Sequence, residues 1–337
     1  MPIHNLGYRD WEGERQSGGT RWSVIANVGI RRAWQSAWLR RIVVVTWAPP
    51  LIFAVAIFFF ERYVASEPSM FDPGLASLII GDDVFSEVEN ELRRAEVQQA
   101  VQAGTAYAEE NFDNPSQRAA RIIRPLVWKG MLLQLQKMQS GAMILVIGLI
   151  APPLISQDIR SRAFLLYFSR PLTRLQYIFG KFCTVASFLF LTITLPQILL
   201  YLFAVLLSPD ISVVTDTWDM PVRAILSSLA MITPMTLLAM MISSLTIETR
   251  FATFGWFTVW VSGAVTAMVF VVAQEADSLL ARCAFFWMLF RDISMVILDV
   301  GSKRPVSDVA TQFCVVLGIA VISFTVVLRK VSAPMKA

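Results

Sequence analysis

Few side chains in this 337-residue sequence are equipped for bond-making chemistry. The single histidine, His4, stands in a polar N-terminal stretch. One imidazole there cannot build a His-ligated metal centre, a haem site, a proton relay or a Ser-His-Asp set. Cys183, Cys283 and Cys314 are far apart and lack any Cys-x-x-Cys spacing, so they read as small apolar packers. The paired acids Asp82–Asp83 and Glu109–Glu110 fall in a hydrophilic block and read as a solvated helical face. Gly180–Lys181 resembles the end of a phosphate-binding loop but fails it. Residue 175, where the first glycine belongs, is leucine, and residue 182 is phenylalanine instead of serine or threonine. The reading is no catalytic residue, no metal ligand set and no nucleotide held by this chain.

What remains is a stretch suited to contact. Residues 156–182, SQDIRSRAFLLYFSRPLTRLQYIFGKF, carry five cations (Arg160, Arg162, Arg170, Arg174, Lys181) against one acid, Asp158. Aromatics lie among them. Asp158 and Arg162 are four apart and can pair along a short helix. Arg170–Pro171 stops that helix. Thr173 or a neighbour can cap the next, which leaves through Tyr177, Gly180 and Lys181. Two short helices bent at a proline make a rigid knob that fits a partner's groove. The same residues also suit a plain basic loop that fixes topology and touches anionic lipid.

The elements that position this stretch are apolar. The chain is 55% hydrophobic and 16% charged, against about 25% charged in soluble domains, and its mean hydropathy is +0.58. The bilayer is its natural solvent. Charge-free runs at 42–60, 138–156, 183–207, 224–246, 251–273 and 309–328 predict six spans. Pro49–Pro50 should kink the first. These runs hold almost no ionisable group, which argues against proton- or ion-coupled carriers. Residues 1–24 read as a flexible start. Residues 25–41, with Arg31, Arg32, Trp34 and Trp38, fit an amphipathic helix lying in the interface. The pieces 1–41, 157–182, 247–250 and 329–337 hold sixteen of the 29 Lys and Arg, and by the positive-inside pattern both termini are cytoplasmic.

Between the first two spans, residues 61–137 form a hydrophilic block with twelve acids and eight bases, read as a helical exoplasmic domain. An apolar stripe is expected at Phe85, Val88, Leu92 and Ala95. A helix should start at Asn114–Pro115 and bend or restart at Pro125. Within 274–308, residues 283–299 are apolar enough to enter the bilayer but are interrupted by Arg291–Asp292, which predicts a re-entrant or interfacial hairpin on the outer side. The fold class is therefore all-α and membrane-integral.

The run Asp158…Phe164-Leu165-Leu166-Tyr167…Ser169-Arg170-Pro171-Leu172-Thr173-Arg174…Tyr177…Gly180-Lys181 resembles the stretch after the second span in ABC transporter permeases of the type-2 exporter class. The layout of an interfacial helix, six spans and a break between spans five and six is also similar. The enlarged block 61–137 departs from minimal members. The resemblance implies a half-transporter. Two permease chains, identical or similar, would join two separate cytoplasmic ATPase subunits that hold ATP and magnesium. Asp158, Arg160, Arg162, Arg170, Pro171, Arg174, Tyr177, Gly180 and Lys181 would form the coupling element. Gly141, Gly148, Pro152 and Pro153 would line or flex the path, or serve ordinary helix packing. The cargo would be amphipathic or lipid-like, a peptide or a drug. Alternatives are force transmission to an extracytoplasmic partner of 61–137, and a non-transporting scaffold. The expected setting is the cell's inner membrane, with the bilayer and no nucleic acid among its partners.

Overall fold

A computed structural model describes residues 20–66, 77, 79–82, 84–91, 93–94, 115–163, 172–208, 213–273, 279–300 and 305–332. Among these residues the regular structure is entirely helical. The elements are α1 (Arg21–Trp34), α2 (Ala37–Val45), α3 (Ala48–Ser66), α4 (Pro115–Arg160), α5 (Arg174–Leu189), a π-helical turn at Phe190–Thr194, and α6 (Leu195–Leu207). They continue with α7 (Val213–Thr217), α8 (Asp219–Leu245), α9 (Thr249–Val272), α10 (Leu279–Ala284), α11 (Phe286–Leu298) and α12 (Val306–Ser332). Six helical runs are long and apolar enough to cross a membrane: Ala37–Arg62, Ile123–Arg160, Arg174–Leu207, Val213–Leu245, Thr249–Val272 and Ser307–Val331.

Local chemistry explains several boundaries. The single interfacial helix expected over 25–41 is two helices. α1 stops at Trp34, and Ser36 restarts the chain as the N-cap of α2, accepting from the Leu39 amide. The first span breaks at Thr46–Trp47, just ahead of Pro49–Pro50. The two prolines occupy the first turn of α3, where an amide hydrogen has no intrahelical partner to lose. α4 begins at Pro115 as expected but runs unbroken through Pro125 for 46 residues.

The apolar stripe of the hydrophilic block differs from the expected one. Ile80, Val84 and Val88, at i, i+4 and i+8, are the buried positions, while Phe85 is half-buried. The side chains of Leu92 and Ala95 lie outside the described residues. The stripe packs on Val127, Trp128 and Met131 of α4. Gly130 makes this approach possible, since a Cβ there would stand 2.9 Å from a Val84 methyl and 3.2 Å from the Ile80 carbonyl oxygen. Beside it, Glu61 accepts from Arg124 Nε and Trp128 Nε1, both at 3.1 Å, tying the end of α3 to α4.

α8 is the hub, packed against α4, α11 and α12. Its buried residues, with Val146, Ile147, Ile150, Phe188, Trp256 and Leu289, form one core at mid-depth. A second core lies toward the hydrophilic block. α10 and α11 are two short helices broken at Phe285 that fold back against α9, α8 and α4. Phe251, Phe254, Val261, Val265 and Met268 leave one side of α9 exposed and apolar.

Candidate functional site

The basic stretch spans the end of α4 and the start of α5, which we call the basic end of the bundle. Pro152 and Pro153 have no amide hydrogen, so α4 loses two rungs of its ladder there. Ser243 of α8 bonds the backbone just beyond this point. Its Oγ accepts from the Ile155 and Ser156 amides at 3.2 and 3.1 Å and donates to the Pro152 carbonyl at 2.7 Å. The Ser156 hydroxyl donates to the same carbonyl at 2.7 Å and lies 3.2 Å from Thr249 Oγ1 at the start of α9. Three helices thus meet at one proline break.

Two residues beyond Asp158, α4 ends. Arg162 takes a left-handed conformation (φ 52°) and is exposed, so the expected Asp158–Arg162 pair does not form. Asp158 turns inward instead. One carboxylate oxygen accepts from the Tyr177 phenol and from the Lys181 ammonium, each at 2.7 Å. Tyr177 and Lys181 stand four apart on α5 and share a face, which lets a single carboxylate engage both. Lys181 also donates to the Leu154 carbonyl at 2.9 Å and lies 5.5 Å from the Tyr177 ring centroid. All three side chains are buried, Tyr177 completely. An ion pair this enclosed is held by its extra hydrogen bonds, and losing one partner strands the other charge.

α1 lies directly across α5. A Cβ at Gly180 would stand 2.8 Å from both the Ile25 Cβ and the Trp22 carbonyl oxygen, and one at Gly29 would overlap Thr184. Two glycines on facing helices therefore set the close crossing. Trp22 meets Phe179 edge-on at 4.8 Å, and Trp34 stacks on Phe188 at 5.7 Å. Arg32 reaches α4, donating to Gln157 Oε1 at 2.7 Å, while Arg31 is exposed. Trp38 is 67% exposed, with Arg41 5.5 Å from its ring. Between α1, α2 and α4 lies a cavity of about 340 Å³, apolar at Leu149 and Ile150 and polar at Arg32, Gln157, Asp158 and Lys181.

The outer rim is looser. Arg160 is exposed and pairs with Glu248, in the turn before α9, at 3.4 Å. Thr173 caps α5 as a full capping box with Gln176, and Arg174 is half-buried in the first turn. Arg170 and Pro171 lie outside the described residues. Of the residues expected to line a path, Gly148 is buried against Phe257 and Trp256, and Gly141 faces open space. Pro152 is buried, and Pro153 lines the cavity.

The arrangement brings Asp158, Tyr177, Gly180 and Lys181 together as an internal lock and leaves Arg160 and Arg162 on the surface. It adds Gly29, Gln157, Ser243, Glu248 and Thr249, which reading the sequence did not single out. Gly29 had a visible signal, the small residues Ala26, Gly29 and Ala33 recurring along α1. Ser243 had none, because its role depends on a break in another helix. What the described residues of the site offer is stiffness and a charged surface. No match emerges among curated proteins. The family model described as ABC-2 family transporter protein matches residues 40–328, from within α2 almost to the end of α12. That match reaches into each of the six spans and leaves out only the first residues of span one and the last of span six, and the chain belongs to the ABC-2 transporter family.

Proposed function

We propose that this permease is the membrane half of an ATP-driven exporter and that the basic end is where a separate ATPase grips it. The supporting observation is the lock itself. Asp158, Tyr177 and Lys181 join α4 to α5, the Gly29–Gly180 crossing joins α1 to α5, and Ser243 with Thr249 joins α8 and α9 to the same point. A push delivered anywhere on this end moves five helices together. Arg160, Arg162, Arg170, Pro171 and Arg174 form the contact surface toward the ATPase. Asp158, Tyr177, Gly180 and Lys181 act as positioning residues beneath it.

In this reading both termini are cytoplasmic, residues 61–137 are exoplasmic, and the membrane is the cell's inner membrane. Two ATPase subunits carry ATP and magnesium, and a second permease chain, identical or similar, completes the pathway. The uncharged helix faces suit an amphipathic, lipid-like, peptide or drug cargo. A second reading has its own support. α4 connects the basic end to the hydrophilic block as one helix, which suits sending force to an extracytoplasmic partner.

The test is co-purification of the chain with its ABC ATPase, followed by ATP turnover. Arg170→Glu with Arg174→Glu is expected to abolish association and permease-dependent turnover while leaving the chain folded. Association and turnover equal to those of the unmodified chain overturn the coupling reading.

A further inference from the structure

At the end of the bundle opposite the basic stretch, a cleft of about 580 Å³ opens between α4, α11 and the segment that carries Ser77, Ile80, Gly81, Asp82 and Val84. Lys137 and Arg291 stand in its wall, and Asp82, its acid, is exposed. The cleft leads to a cavity of about 20 Å³, room for roughly one water. Lys137 and Arg291 line this inner space too, together with Trp260, Trp287 and Phe290.

The polar groups of the inner cavity are unequally served. Gln136 is satisfied, donating to Ser294 at 3.1 Å and accepting from Ser227 at 2.8 Å. Asp292, which follows Arg291 but does not line the cavity, is engaged by Gln312 at 2.9 Å, Arg291 at 3.3 Å and Arg282 at 3.8 Å, so its charge is compensated within the protein. Trp260 is different. It is 92% buried, and its indole N–H has no partner. A buried donor left unmatched costs free energy unless something fills the site. The group that satisfies it is an acceptor, and beside the Lys137 ammonium, with Arg291 already shared with Asp292, an anionic one is favoured.

Depth identifies the source. Lys137 and Asp158 are 21 residues apart on α4, about 30 Å along the axis, which is the thickness of a bilayer's hydrocarbon core. Lys137, and Arg291 beside it in the wall of the cleft, therefore stand at headgroup level. We infer that this cleft binds the anionic headgroup of a membrane lipid, its phosphate between Lys137 and Arg291 and an acceptor oxygen directed to Trp260 Nε1. The inference is independent of ATPase coupling, and its test needs no ATPase.

The full chain, purified in neutral detergent, is titrated with phosphatidylglycerol or phosphatidylcholine and read by native mass spectrometry and thermal unfolding. Phosphatidylglycerol is expected to bind about tenfold more tightly than phosphatidylcholine. Lys137→Gln should remove that preference and Lys137→Arg should keep it. Trp260→Phe removes the N–H together with the five-membered ring that carries it, and should weaken phosphatidylglycerol binding by more than it weakens phosphatidylcholine binding. Equal retention of the two lipids, or a preference that survives Lys137→Gln, overturns the inference. Full competition by millimolar inorganic phosphate also overturns it, because the site would then take the free ion.

Discussion

Replacing Lys181 with methionine isolates the lock at the basic end. The stem is kept and the ammonium removed, leaving the Asp158 carboxylate with Tyr177 alone in a place where the side chain of Asp158 is 10% exposed. Breaking a buried pair by removing one partner costs about 3–5 kcal/mol. The adjoining cavity, which both residues line, gives water some access to the stranded carboxylate, so a loss of about 2–3 kcal/mol is expected. Asp158→Asn alone should lose about 1–2 kcal/mol, because the amide oxygen still accepts from Tyr177 while the ammonium is left with only the Leu154 carbonyl. The double variant leaves no unpaired charge and should lie within about 1 kcal/mol of the unmodified chain. The coupling energy from this cycle is then about 2 kcal/mol or more. Equilibrium unfolding in mixed micelles, followed by tryptophan fluorescence, measures all four proteins. A coupling below about 0.5 kcal/mol, the scatter between independent sites, would refute the reasoning and return Asp158 and Lys181 to ordinary solvated charges.

The helix crossing and the proline break make further tests. Gly180→Val should push α1 off α5, since the Trp22 carbonyl oxygen at 2.8 Å from the new Cβ is backbone and cannot rotate away; a cost of about 2–3 kcal/mol is expected, together with lost cysteine cross-linking between the two helices. Gly141→Ala, which meets nothing within 4 Å, should be neutral or stabilising by about 0.5–1 kcal/mol in the same assay. Ser243→Ala removes two acceptances and one donation at once and should cost about 2–3 kcal/mol, read as faster amide exchange at Ile155 and Ser156. Thr173→Ala dissolves the capping box of α5 and should cost about 1 kcal/mol, with exchange rising only in the first turn of that helix.

Hydropathy made the spans legible because the bilayer imposes its requirement on each segment separately, and no long-range information is needed to meet it. The hinge chemistry was partly legible for a similar reason. Thr173 with Gln176 is a local cap, and Pro115 starts α4 as prolines do. The lock was not legible. Asp158 has a plausible partner four residues on, in Arg162, but the helix that would align them ends at Arg160. Its true partner lies 23 residues away, and nothing local distinguishes Lys181 from the other cations nearby. Arg291–Asp292 misled in a related way. It reads as polar punctuation in an apolar run, yet Asp292 is buried against Gln312 and Arg282 from two other helices. Charges that neutralise each other across helices look like interruptions until the helices are packed.

The proposed transmission of force along α4 would carry a gearing set by the length of that helix. Taking the Pro152–Pro153 break as fulcrum, the arm toward Arg160 is about 12 Å long, and the arm toward Pro115 is about 55 Å. A stiff rod pivoted there turns a 1 Å displacement at the basic end into roughly 4–5 Å at the far tip. Ser243 packs at this break, and Gly130 lies near the middle of the long arm. In the force-transmission reading proposed above, small strokes at the basic end become wider, weaker ones at the far tip of α4.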